Sequence, residues 1–201
     1  MLEKEVFLKK VDIKFFVIII FLITNSYCVN AYSDQLKIIN YLKDFNKYSL
    51  NFIQDDGANI SEGLISIGED RVRVHYYLPT EIIIILSKNK AMYYNKELDE
   101  DEFFNPKDTP AYFFYNIFRN PEFFISGKIV SFSNTIVLEK EALNNSEKYN
   151  IKLYFENNPL ILRKVELTDD LGFVTLSLFN HQKVSEFDKN HFKLINPNFF
   201  K

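Results

Sequence analysis

The side chains with the most obvious capacity for chemistry are three histidines, one cysteine and a run of four carboxylates. His75, His181 and His191 lie far apart, with no two at a metal-ligand spacing, and read as surface or edge polar residues. Asp99-Glu100-Asp101-Glu102 has the charge to attract Ca²⁺, but a solvated acidic loop is the plainer reading. A Gly-x-Ser-x-Gly elbow and a phosphate-cradling glycine loop are both absent, and five glycines in the whole chain could hardly supply the latter. No catalytic residue, metal site or cofactor is therefore expected, and the chain does not read as an enzyme. Its distinctive chemistry is apolar. There are 21 Phe and 12 Tyr but no Trp, and so many rings either fill a core or line an apolar cavity. Composition leaves both open.

The elements that would position such a surface are short and mostly extended. From Arg71 to Tyr77 the chain alternates, with Val72, Val74 and Tyr76 on one face and Arg71, Arg73, His75 and Tyr77 on the other, until Pro79 ends the run. The apolar face is a candidate cavity wall or the underside of a covering helix. Arg73 points the opposite way, so its truncation should be mild beside a change at Val74. Further strand signals precede and follow: Phe52 to Gln54, Gly63 to Ile67, the continuously aliphatic Glu81 to Leu86, and Ala91 to Tyr94. After the acidic stretch, Thr109-Pro110 supplies a cap and a first-turn proline for a short helix through Ile117 or Phe118, stopped by Pro121. Phe113, Phe114 and Ile117 crowd that helix and should face a cavity mouth, as part of a lid. Strands resume at Lys128–Phe132, Thr135–Glu139, Tyr149–Glu156, Leu160–Leu167 and Phe173–Phe179, with turns at Asn157-Asn158-Pro159 and Asp169-Asp170-Leu171-Gly172. An amphipathic helix from Ser33 to about residue 48, carrying Leu36, Ile39, Leu42 and Phe45, opens the series. Many short strands, hairpin turns and two or three helices predict a mainly β (α+β) domain, an antiparallel sheet curled into an open barrel.

The first 31 residues stand apart. Lys9, Lys10 and Lys14 precede the apolar run Phe15 to Ile23, and Val29-Asn30-Ala31 gives a small-x-Ala ending, the three parts of a secretory signal peptide cleaved after Ala31. The nine apolar residues would cover only about 14 Å as a helix, roughly half a bilayer core, which disfavours a membrane anchor. Cys28 raises a lipoprotein signal as a third reading, although bulky Tyr27 precedes it where a small residue is wanted. Cleavage after Ala31 leaves residues 32–201 as one domain without cysteine. The removed part holds Lys4, Lys9, Lys10 and Lys14 against Glu3, Glu5 and Asp12, a net +1, so a chain of −3 becomes a domain of −4. A mildly acidic domain is a poor partner for nucleic acid.

Several segments, in order, resemble the LolA family of periplasmic outer-membrane lipoprotein carriers. Phe52-x-Gln54 followed by Glu62-Gly63 resembles the family's Phe-x-Gln strand and its Gly-led second strand. Arg71-Val72-Arg73-Val74-His75-Tyr76 before Pro79 resembles its Arg-Phe-Arg-Trp-x-Tyr run. Tyr94-Asn95 with Leu98, Thr109-Pro110-Ala111, Asp170-Leu171-Gly172 with Thr175, and Phe187-Asp188 through Phe192 match later motifs, the last as a closing strand. Two departures stand out: Val74 replaces the family's cavity Trp, and Gly68-Glu69-Asp70 replaces the Arg-Pro turn whose Arg is linked to opening and hand-off, leaving Arg71 as the nearest candidate.

The resemblance implies an incomplete antiparallel β-barrel with a helical lid over an apolar cavity that takes acyl chains. The wall is then expected from Phe52 on the first strand, Val72, Val74 and Tyr76 on the third, and Ile83 and Ile85 on the fourth. Met92 and Tyr94 on the fifth, and Phe113, Phe114 and Ile117 on the lid, would complete it. The implied partners are acylated outer-membrane lipoproteins, an inner-membrane ABC-type lipoprotein release complex, and the outer-membrane receptor LolB or an equivalent, with the carrier a monomer. Alternatives on the same fold are a LolB-like membrane-anchored receptor and a carrier of free lipids or glycolipids.

Overall fold

The computed structural model describes residues 33–200, so the proposed signal segment and Cys28 lie outside the described residues. A helix α1 over 33–43 is followed by β1 (Tyr48–Asp55), β2 (Ile60–Ile67), β3 (Val72–Leu78), β4 (Ile82–Leu86), β5 (Ala91–Asn95) and β6 (Glu100–Phe104). Helix α2 (Ala111–Arg119) comes next, with 3₁₀ turns at Pro106–Asp108 and Pro121–Phe124 on either side. Strands β7 (Lys128–Phe132), β8 (Thr135–Asn144), β9 (Glu147–Asn157), β10 (Leu160–Thr168) and β11 (Phe173–Lys183) complete the sheet.

All eleven strands form one sheet in the order β6-β5-β4-β3-β2-β1-β11-β10-β9-β8-β7. Every neighbouring pair is antiparallel, and the two edge strands do not pair with each other. The sheet is an unclosed barrel. Its curl is set by how close distant strands come. Strands β4 and β9 are six steps apart in the sheet, about 29 Å if it were flat at ~4.8 Å per step. Yet Ile84 of β4 and Ile151 of β9 line the same small cavity, so the strands must bend towards each other. The chain that crosses from β6 to β7 carries α2 over this concave face.

The core lies between that face and the two helices. Ile38, Ile39 and Leu42 of α1 and Phe113, Ile117 and Phe118 of α2 are buried with Phe52, Ile65, Val72, Leu138, Leu153 and Phe155 from the strands. Burying each such side chain fully is worth roughly 1.5–3 kcal/mol. Gly63 makes one packing detail possible: a Cβ there would sit 2.1 Å from the His75 carbonyl and 2.7 Å from the Phe52 ring. Its absence lets Phe52 lie across β2 and meet Tyr76 edge-on at 5.0 Å.

Four local readings of the sequence need correction. Helix α1 ends at 43 rather than about 48, because Lys47 adopts a φ of 57°, incompatible with a continuing helix, and Tyr48 already pairs with β2 and β11. The acidic run is not a loop: Glu100–Phe104 is an edge strand, where outward carboxylates cost little and discourage further strand pairing. Thr109 does not cap α2; its hydroxyl donates to the Pro106 carbonyl, and Pro110 occupies the cap position. Residues Phe187 to Phe192 form no strand. That segment instead lies on the convex side of β3, where Arg71 and Arg73 donate to the Phe192 and His191 carbonyls at 2.6 and 2.9 Å, and Leu194 beyond it packs on β4 and β5.

Candidate functional site

Beneath α2 the concave face leaves an apolar cavity of about 260 Å³. Val74 and Tyr76 of β3, and Ile84 and Leu86 of β4, form one wall, and Ile151, Val165, Leu167, Val174 and Leu176 of β9, β10 and β11 form the other. Pro110, Ala111, Phe113, Phe114 and Ile117 close it from the helix side. Gln54, at the penultimate position of β1, and Tyr76 are the only lining residues with polar side-chain atoms, and the Tyr76 hydroxyl donates to Gln54 Oε1 at 2.9 Å. Burial pushes the Tyr76 phenol up to about 12, so it stays a neutral donor at every physiological pH. The wall carries no charge.

Strand parity decides which of the anticipated wall residues reach this space. Val74, Tyr76, Phe113, Phe114 and Ile117 line it. Phe52 and Val72 are on the same face but wholly buried in the core beside it. Ile83, Ile85, Met92 and Tyr94 are not in the cavity. Val74 is paired with Ile84 and Val72 with Leu86, so those residues share the concave face, whereas Ile83 pairs with His75 and Tyr94, and Ile85 with Arg73 and Met92. The four form a separate small cluster on the convex face, packed against Leu194 of the C-terminal segment. An all-aliphatic β4 gives no alternation to read, and only its register against β3 reveals the faces.

Helix α2 is fastened at both ends. Near its start, Asn144 and Asn145 of the β8–β9 hairpin donate to the Thr109 and Asp108 carbonyls at 3.1 and 3.2 Å. At its end, Arg119 Nη1 donates to the Gly68 and Glu69 carbonyls of the β2–β3 turn at 2.6 and 2.7 Å, and Nη2 donates to the Phe45 carbonyl beyond α1. Arg119 was not anticipated. The available signal was a lone cation at the C-terminus of a short aromatic helix, where the dipole favours it. Arg71, the candidate drawn from the resemblance, faces the C-terminal segment instead of α2.

The three histidines are not simple surface groups either. His75 lies 3.0 Å from Glu81, His181 packs edge-on to Phe45, and His191 stacks on Phe187. Burial is the leading cause lowering all three, and it takes His191 to about 4, assisted by Arg73.

The family model for the outer membrane lipoprotein carrier protein LolA matches residues 45–195, three-quarters of the chain. This chain belongs to the LolA family. The family is one of carrier proteins, and the matched span includes every strand, α2 and the first part of the C-terminal segment. An uncharacterized protein of Rickettsia prowazekii (strain Madrid E) is 26% identical over 174 residues, covering 80% of this chain and 76% of its own length. The crystal structure of an uncharacterized conserved protein from Thermus thermophilus superposes with a TM-score of 0.50 at 7% identity, over 80% of this chain and 91% of its own. The crystal structure of MucB gives 0.49 at 11% identity, over 80% of this chain and 62% of MucB. The Thermus likeness is one of fold. In this LolA-family chain the turn that departs from the family pattern, Gly68-Glu69-Asp70, is the turn that receives Arg119.

Proposed function

We propose that this LolA-family protein is exported to the periplasm and there carries the acyl chains of lipoproteins. Cargo would be received from an inner-membrane ABC-type release complex and passed to an outer-membrane receptor, LolB or an equivalent. The observation that carries the reading is the uncharged apolar cavity beneath a short aromatic helix. Each methylene moved from water into such a space gains about 0.8 kcal/mol, so a long acyl chain gains on the order of 10 kcal/mol without any catalytic group. At about 260 Å³ the cavity is smaller than typical ligand sites of ~300–1,000 Å³. Loading a whole chain then requires α2 to lift, and the aromatic residues on its inner face would move with it.

The test is release. Purified protein added to spheroplasts is expected to bring newly made lipoproteins into the soluble fraction, and lipoproteins that stay in the membrane pellet would reject the reading. A receptor role on the same fold would need an acylated Cys28. Mass spectrometry of the mature protein is expected to show an unmodified N-terminus near Tyr32.

A further inference from the structure

The cavity wall contains one hydrogen-bonding pair, and its geometry is asymmetric. Tyr76 donates to the Gln54 carbonyl oxygen, which fixes the amide in one orientation. The two N–H donors of that amide have no partner among the described residues. Gln54 is half-buried at the edge of the cavity, so water can serve those donors when the cavity is empty, and an acceptor on a ligand would take the place of that water. Phe52 packs edge-on to Tyr76, so the ring bearing the hydroxyl is itself held in place.

Position along the strands gives the site a direction. Gln54 is one residue from the end of β1, opposite Ser61 of β2 and Leu176 of β11. Leu86, paired with Val72 at the start of β3, lines the cavity at the opposite end, toward the β2–β3 turn that Arg119 binds. A ligand with an apolar tail and an acceptor at its head would enter tail-first and leave the acceptor beside Gln54.

We propose that Gln54, oriented by Tyr76, is a specificity site that donates a hydrogen bond to the carbonyl of a neutral acyl ester or amide at the cavity entrance. The proposal rests on the acyl-carrier reading and narrows it to acylated molecules, since no cation in the wall would hold the carboxylate of a free fatty acid.

The experiment compares two probes that differ only in the carbonyl: 1-lauroylglycerol, an ester, and 1-O-dodecylglycerol, its ether counterpart. Each displaces the apolar dye 1-N-phenylnaphthylamine from the purified protein. The ester should bind roughly 3- to 10-fold more tightly than the ether, the range one net hydrogen bond supplies. Gln54→Leu should abolish that preference while leaving the ether's affinity in place. Tyr76→Phe keeps the amide but frees it to rotate, and should cut the preference to about half or less. Equal binding of ester and ether to the unaltered protein, or a preference that survives Gln54→Leu, would overturn the specificity site while leaving the cavity intact. Failure of both probes and of the dye to bind would instead reject the carrier reading beneath it.

Discussion

Arg119 and Val74 carry opposite kinds of information about the cavity. Arg119 is a half-buried cation that donates to three carbonyls from two other elements, so it ties the end of α2 to the β2–β3 turn and to the end of α1. Burial lowers its pKa, but an arginine remains charged through the whole working range. Arg119→Ala should lower stability by on the order of 3 kcal/mol and speed dye entry. Stopped-flow fluorescence and thermal melts together check this, and a destabilised variant with unchanged entry would make the residue structural only. Val74→Glu places a charge that must be desolvated at the wall, at a cost of several kcal/mol when cargo is present. It is expected to abolish lipoprotein release and keep a native circular-dichroism spectrum, because the carboxylate can turn into the cavity beside it, which has room for water. Arg73 is a different case. The face opposite Val74 was expected to be tolerant, but Arg73 is half-buried and holds the His191 carbonyl. Arg73→Ala should therefore cost about 1–2 kcal/mol of stability while release continues.

The elements were legible in proportion to how clearly their side chains alternate. Strand β3 shows strict alternation, and both its existence and its inner face could be read from Val72, Val74 and Tyr76. Strand β4 could be recognised but not oriented, since Ile82–Leu86 is aliphatic at every position and is covered on both faces, by the cavity and by Leu194. Strand β6 was hidden by its carboxylates, which an edge tolerates. The C-terminal segment was hidden because its fastenings are backbone carbonyls, which every residue possesses. Helix α2 gave itself away by Pro110 and its rings. Phe113→Ser with Phe114→Ser is expected to weaken dye binding more than it lowers the melting temperature, because Phe114 is only half-buried and both line the cavity. The reverse ranking would make these rings ordinary core. On the convex side, His191 supplies a pH dependence. Its folded pKa, about 4, lies below the ordinary value of 6.5, so the unfolded chain takes up a proton more readily and stability falls as pH drops from 6.5 towards 4. Thermal melts across that window should be flatter for His191→Gln, whose neighbours Arg73, His75 and Asp188 are unchanged.

At the scale of the molecule, an unclosed sheet with a helix across its opening makes a container that can change volume without breaking a strand pair. The first and last strands meet at the sheet's centre, β1 beside β11, so the two edges are free to part. Order along the chain made the family recognisable even though single motifs departed from it; the three-dimensional register then put four of the eleven expected wall residues on the convex face, and two more, Phe52 and Val72, lie in the core beside the cavity. The most direct test of an acyl-binding concave face uses adjacent residues that point in opposite directions. A photoreactive phenylalanine derivative replaces Ile84 in one protein and Ile83 in another, and each is irradiated in spheroplasts that are making lipoproteins. Lipoprotein adducts are expected from position 84 and none from position 83. Adducts of equal yield from both positions, or from position 83 alone, would contradict an acyl-binding concave face.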